Sequence, residues 1–387
     1  MGLSTGIALL ESKPELRVIV ADKEPEFALH ASGRNSGVLH AGFYYTPDSL
    51  KAKFCRDGNK EIRLLARESS IPIQEVGKVV VVRNENELAR LQLLFERGIL
   101  NGVDLEILEE AKLSKFEPLA VTKEKFIWSP TTAVADSKAI TKALYEKFIS
   151  LGGRVEFDSR VTLTSSDEEI RDSSGTYDSQ IFINAAGAQA DRISRRVGVG
   201  NEYAMLPFMG VYRSVDSEYL PLKRLVYPVP HPLNPFLGVH FTLTANQKVK
   251  IGPTAIPILG REQYSLFQGW SGSDVVQSLK AIRSLLHGDS HDLLEIMRTE
   301  WPKVMEGSLV RESLELVPSA SKVKHWQKRP PGIRAQLVHL PTGRLEQDFV
   351  VTEKLNSIHI LNAVSPGWTS AIPFGRFVAT KILRKLR

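Results

Sequence analysis

Leu3, Ile7 and Leu10 recur at helical spacing at the start of the chain, and RVIVAD (17–22) follows as a short buried-strand pattern. Residues 26–45 are rich in Gly, Ser, His and Asn and read as an irregular segment. A helix is predicted over 47–69, with Pro47, Asp48 and Ser49 at its start. GKVVVV (77–82) is a strand, and 85–102 is a helix that stops at Asn101-Gly102. Another helix over 136–153 leads into the strand RVEFD (154–158), and 177–198 reads as strand, small-residue turn and helix.

Between about 203 and 260 the texture changes. YRSV, LVYPVP, FLGVHFTLT and KVKIGP are short alternating runs punctuated by Pro and Gly, which predicts a largely antiparallel sheet. Residues 262–306 turn helical, 349–353 and 357–364 are strands, and a helix over 369–387 closes the chain. There is no internal repeat and no low-complexity segment. The order predicts an α/β protein with a second, α+β domain inserted into a nucleotide-binding one. The first takes residues 1–76, 136–200 and 325–387, and the second takes 77–135 and 201–324.

The 387 residues suffice for two domains with cores of their own. A net charge of +6 is spread along the chain rather than gathered on one face, which argues against a nucleic-acid partner. Cys55 is the single cysteine, so no internal disulfide forms, and a reducing, cytoplasmic setting fits. No apolar run approaches the ~20 residues of a membrane span. The N-terminus has neither the basic start nor the small-residue cleavage site of a signal peptide. The basic end KILRKLR (381–387) fits either a solvated helix terminus or weak contact with an anionic membrane surface.

The opening helix and strand have the form of the second half of a dinucleotide-binding βαβ unit. Gly2 takes the place of the third glycine of the phosphate turn, and Asp22, followed by Lys23, takes the place of the acid that binds the ribose hydroxyls. The first strand and two glycines do not precede them. Two expectations follow: a chain with impaired nucleotide binding, or a natural polypeptide that begins ~10 residues upstream with a strand and a Gly-rich turn.

The segment HASGRNSGVLHAGFYYTPDSLKAKFC (30–55) resembles, nearly residue for residue, the signature of the L-2-hydroxyglutarate dehydrogenase/oxidase family, flavoproteins related to D-amino-acid oxidase. The likeness continues in order through GKVVVV, PTTAVAD, INAAGAQADRIS, LVYPVPHPLNPFLGVHFT, GIRAQLV and LNAVSPGWTSA. It implies FAD on a Rossmann-like domain, here truncated at its N-terminus. It also implies oxidation of a 2-hydroxy acid by hydride transfer to flavin N5, with the electrons passed to a quinone-type acceptor or to oxygen. An amino-acid or amine oxidase on the same fold is the alternative.

That chemistry needs a cation for the substrate carboxylate and a base for the hydroxyl proton. Arg334 resembles the arginine of a Gly-x-Arg motif that binds substrate carboxylates, and a planar guanidinium pairs with one bidentately. Two histidines stand in matching motifs. His240 is placed first as the base and His40 as a flavin neighbour or substrate ligand, with the order between them open. Tyr45 and Tyr227 fit either the substrate pocket or aromatic core packing. Ser32, Arg34, Asn35, Ser36 and Gly37 fit contacts to phosphate and the flavin edge, or a simple turn network. Val161 resembles the position whose backbone binds adenine, and Ala186 and Gly187 pass close to the pyrophosphate. Ser365, Gly367, Thr369 and Ser370 lie at the start of the last helix, whose N-terminus favours the negative charge of a reduced flavin. The chain departs from the family pattern at Met209, where an arginine is expected, and at Val211, where a polar residue is expected. If that arginine holds a distal carboxylate, a 2-hydroxy acid other than 2-hydroxyglutarate becomes the substrate.

Overall fold

The computed structural model describes residues 1–386 except 164–168, 172–174, 232–237, 266–267 and 289–291. Part of the PHPLNPFLG stretch singled out above therefore lies outside the described residues.

The helices form where the patterns place them and are capped by local chemistry. The Ser49 hydroxyl accepts from the Ala52 amide at 3.1 Å and starts helix Leu50–Glu68. The Asp136 carboxylate accepts from the Lys138 and Ala139 amides and starts helix Ser137–Ser150. Helix Gly2–Ser12 buries Ser4 through Leu10 and crosses helix Ala371–Lys385 closely. The crossing needs a glycine: a Cβ on Gly375 would come 2.6 Å from the Ser4 carbonyl carbon.

The parallel strands form two separate pieces. Ile19–Ala21 pairs with Arg154–Glu156, while Phe182–Asn184 pairs with Ser357–Ile360, which is flanked by antiparallel Val351–Lys354. The RVIVAD pattern predicts full burial, yet Ile19 is 46% exposed because its strand has a neighbour on one edge only.

The larger element is a ten-stranded sheet. Its order is Arg344–Leu345, Gln327–His339, Tyr203–Asp216, Lys248–Gly252, His240–Leu243, Leu225–Pro228, Lys78–Val81, Lys125–Ser129 and Glu106–Glu109, with Ile256–Pro257 beside Tyr203–Asp216. The pairing is antiparallel except between Leu225–Pro228 and Lys78–Val81. Two of its strands are longer than their sequence patterns suggest. Tyr203–Asp216 runs through Pro207 and Gly210, and Gln327–His339 runs through Pro330 and Pro331. A register shift between Gly210 and Tyr212 lies opposite the two prolines, where a missing N–H donor is tolerated. Gln327–His339 comes from a segment that the sequence groups with the nucleotide-binding half.

The two faces of this sheet are buried differently. Val79, Val81, Phe126, Val226, Phe241, Val249 and Ile251 fill a core on one side. Val80, Ile127, Leu225 and Tyr227 face the other side, against Val38, Ala41 and Phe43 of the segment before helix Leu50–Glu68. The valines of GKVVVV are buried from both sides, so the run is continuous rather than alternating. Each contributes roughly 1.5–3 kcal/mol, and a one-residue slip would exchange the two faces.

Candidate active site

Lys78, Tyr227 and His240 stand side by side on three neighbouring strands. Tyr227 is register-opposite Val80 on one side, and Val226 is opposite Phe241 on the other, which brings the Tyr227 and His240 rings together. They stack with centroids 3.8 Å apart and planes 21° apart. His240 is buried, and its Nδ1 lies 2.8 Å from the Gly238 carbonyl oxygen. A carbonyl can only accept, so Nδ1 carries the proton and Nε2 of the neutral ring keeps its lone pair. Burial lowers His240 to about 3; the Gly238 bond opposes this, and the nearby charges of Lys78, Arg334 and Lys250 add to it. The ring is therefore a neutral proton acceptor throughout the ordinary pH range.

Lys78 is a residue the sequence reading passes over. A lysine at the start of an apolar strand ordinarily reaches solvent, but this one is fully buried. Its Nζ sits 4.1 Å from the Tyr227 ring centroid, 4.9 Å from that of Tyr44 and 5.3 Å from that of Phe43, with no hydrogen-bond partner. Burial lowers it to about 7, while the adjacent Cys55 acts in the opposite direction. Its signal was indirect: Phe43 and Tyr44 of GFYY and Tyr227 of LVYP, whose ring faces attract a cation.

His40 approaches from the irregular segment. It is buried, its Nδ1 has no hydrogen-bond partner, and its backbone N–H donates to Thr369 Oγ1 at 3.4 Å. The His40 carbonyl accepts from Asn59 Nδ2 at 3.1 Å and from the Cys55 thiol at 3.4 Å. Burial, then the charges of Lys78, His240 and Arg334, hold His40 well below its ordinary value. Burial also pushes the Cys55 thiol up, so it stays protonated and donates.

Arg334 stands on Gln327–His339, and its charge acts on His40, His240, Tyr45, Tyr212 and Tyr227. Tyr45 hydrogen-bonds Ser365, which ties the irregular segment to the approach of the last helix. The structure thus gathers His40, His240, Arg334, Tyr45, Tyr227 and Ser365 from distant parts of the chain. Met209 is 3% exposed and packs with Ile256 and Ile258, with Val211 and Ile333 beside them, in an apolar cluster.

The nucleotide-side residues form a second group. Asp22 directly follows the Ile19–Ala21 strand, its carboxylate accepts from the Glu24 amide at 3.1 Å, and it is raised by burial. Lys23 ion-pairs with Glu24 and, at 3.1 Å, with Glu262, so its charge is engaged within the protein. Gly2 lies beside Ala185, just before Ala186 and Gly187. The backbone after Arg154–Glu156 returns to Asp22 through the Ser159 amide, and Val161 packs against Phe182 and Val197.

Ser32 to Gly37 are held by their own turn. Asn35 Nδ2 donates to the carbonyls of Ala31 and Ser32, and Asn35 Oδ1 accepts from the Gly37 amide. Arg34 donates to the Leu29 carbonyl and lies 4.1 Å from the Tyr264 ring centroid. Ser36 lies within this turn, between Asn35 and Gly37, and is half-buried. Gly37 has φ +74°, and a Cβ there would stand 2.6 Å from the Ala135 carbonyl oxygen. Gly367 makes a tight approach to the Ala363 carbonyl. Thr369 and Ser370 are buried at the start of helix Ala371–Lys385, and Ser370 Oγ has no hydrogen-bond partner.

The family model described as DAO, FAD dependent oxidoreductase, matches residues 1–381. The chain belongs to this family of FAD-dependent oxidoreductases. It is 33% identical over 389 residues to L-2-hydroxyglutarate dehydrogenase of Escherichia coli (strain K12), covering 99% of this chain and 90% of that protein. It is 34% identical over 405 residues to the mitochondrial L-2-hydroxyglutarate dehydrogenase of Caenorhabditis elegans, covering 100% of this chain and 92% of that protein. Among solved structures, it is similar to dithionite-reduced L-alpha-glycerophosphate oxidase from Mycoplasma pneumoniae with FAD bound. The TM-score is 0.74 at 20% identity, covering 99% of this chain and 91% of that one. The family, the α/β fold and the FAD-dependent class expected from the sequence are borne out.

Proposed function

We propose that this protein oxidises a 2-hydroxy acid, L-2-hydroxyglutarate or a relative of it, to the 2-oxo acid. The observation that carries the reading is the buried His240 ring, whose Nδ1 is committed to the Gly238 carbonyl and whose Nε2 is left as a neutral acceptor within reach of the Arg334 charge. Arg334 binds the substrate carboxylate and fixes the orientation of Cα, and His240 Nε2 takes the hydroxyl proton. His40 borders the flavin and substrate, and Tyr45 and Tyr227 line the pocket.

The residues present fit FAD. The unpartnered His40 Nδ1 and Ser370 Oγ are open polar atoms close to the start of helix Ala371–Lys385. Thr369, Ser365, Gly367 and the Ser32–Gly37 turn adjoin them. On the nucleotide side, Asp22 serves the ribose, Gly2, Ala186 and Gly187 allow close approach of the pyrophosphate, and Val161 borders the adenine. Bound FAD supplies the hydride acceptor.

The cations acting on His40 are Lys78 and Arg334, with no acid among the groups acting on it, which favours an anion over a cationic amine. A quinone-type acceptor or oxygen receives the electrons. Among the described residues, no helix is long and apolar enough to cross a membrane. Lys381 and Lys385 of the last helix both reach Glu353, so membrane-surface contact by that end would compete with ion pairs already made.

An anaerobic panel of 2-hydroxy acids and amino acids, followed by flavin bleaching, tests the reading. Bleaching by 2-hydroxy acids is the expected result. Bleaching by an amino acid and by no 2-hydroxy acid overturns it.

A further inference from the structure

His240 is not the end of the polar strip on its face of the ten-stranded sheet. Lys250 is register-opposite Ser214 on one side and Thr242 on the other. The alternate residues Val215, Val249, Ile251 and Phe241 fill the opposite core. Alternation therefore puts Ser214, Lys250 and Thr242 in a row on the His240 face, one pleat beyond it. A pleat repeat of two residues is about 6.8 Å, comparable to the span of a short dicarboxylic acid.

This row is polar without being satisfied. Ser214 is fully buried and its Oγ has no hydrogen-bond partner. Lys250 Nζ lies 4.5 Å from the ring centroid of Tyr212, itself a buried residue on which the Arg334 charge acts. Burial and then the charge of Arg329, another cation, bear on Lys250 and lower it to about 8. Among the described residues no acid pairs with it. A buried hydroxyl and a half-buried ammonium side by side on one face of a sheet are costly unless an anion completes them.

We propose that Lys250, assisted by Ser214, determines specificity by receiving the far carboxylate of a dicarboxylic 2-hydroxy acid whose near carboxylate lies on Arg334. The inference rests on the 2-hydroxy-acid reading above. It also answers the departure at Met209: the distal cation is supplied from a neighbouring strand of the same sheet.

The test compares 2-hydroxyglutarate with 2-hydroxypentanoate, which has the same chain and a methyl end. The anaerobic rate of flavin reduction gives kcat/KM for each acid with the wild-type protein, Lys250→Met and Lys250→Arg. Lys250→Met should reduce the preference for the dicarboxylate by about 10- to 100-fold, the range of one charge-assisted hydrogen bond, and Lys250→Arg should recover part of it. Ser214→Ala should reduce it by several-fold. Calorimetric binding of 2-oxoglutarate against 2-oxopentanoate gives the same preference without turnover, and Lys250→Gln carries the comparison if Lys250→Met does not fold.

A preference unchanged in the folded Lys250 variants overturns the assignment. If no 2-hydroxy acid bleaches the wild-type flavin, the reading of the reaction fails. The calorimetric preference then decides the subsite by itself, its loss in the variants supporting Lys250 and its persistence overturning it.

Discussion

The ten-stranded sheet and the parallel strands around Asp22 present their candidate side chains in opposite ways. On the large sheet, Lys78, Tyr227, His240, Lys250 and Arg334 each stand within a strand that has paired neighbours. Around Asp22 the candidates lie at strand ends and turns, and the parallel strands carrying them form two pieces. A side chain on a strand paired along both edges is held in orientation by its neighbours and is taken out of water, so desolvation dominates its ionisation. His240 and Lys78 are both lowered mainly by burial. A side chain just past a strand paired on one edge keeps more water and finds local partners, as Lys23 does with Glu24 and Glu262. The first arrangement suits the proton-transfer and carboxylate-binding chemistry of a small substrate, and the second suits a long cofactor gripped at several points.

Substitutions on the two regions should therefore separate catalysis from cofactor retention. The largest effect is expected at His240. His240→Gln should slow substrate-dependent flavin reduction by about 10²–10⁴-fold, the range for loss of a general base, with FAD content retained. Loss of bound flavin without loss of rate per flavin would place His240 with the cofactor instead. Arg334→Met should cost about 10²–10³-fold in kcat/KM, and Arg334→Lys should restore little, because a point charge does not reproduce a bidentate fork. Full recovery by lysine would argue for charge alone.

Asp22→Asn addresses the other region. It should weaken FAD retention by roughly tenfold, from the loss of one hydrogen-bonded charge, while the reduction rate per bound flavin stays within about twofold. Absorbance ratios after dialysis measure the first quantity, and stopped-flow bleaching the second. A fall in rate at full flavin occupancy would dissolve the distinction between the two regions.

The smallest effect concerns stability. Lys78 has its folded value lowered to about 7 from 10.5. The unfolded chain then binds more protons between these values, so the cost of the buried ammonium is fully present at pH 7 and below and fades as pH rises towards 10.5. Lys78→Met should raise the thermal midpoint by about 2–4 °C at pH 6–7, and by less at pH 9–10. The lowered values of His40 and His240 act in a matching sense, since stability from keeping them neutral is complete above about pH 6.5 and is lost as pH falls below it. An equal gain from Lys78→Met at every pH would show that its ammonium is not buried alone.

The elements most legible in the sequence were those with a local cause. The caps at Ser49 and Asp136, and the short strand just before Asp22, follow from residues close together in the chain. The strands Tyr203–Asp216 and Gln327–His339 were partly hidden because Pro and Gly inside them read as breaks, and only the facing register shift accommodates them. The candidate histidines were both visible, but the Gly238 carbonyl beside His240 was not: that contact depends on how the backbone bends before the strand. Lys78 was invisible as a site residue because its surroundings come from residues 43, 44 and 227.

By itself, the sequence determined the alternation of helices and strands, the family motifs and the residue types able to bind an anion or take a proton, since these depend on short-range patterns and side-chain chemistry. Only the tertiary structure decided which of them meet, how deeply each is desolvated and which nitrogen of His240 stays free. Those properties are set by pairing between strands far apart in the chain, where burial and a neighbour's carbonyl or charge outweigh any local preference.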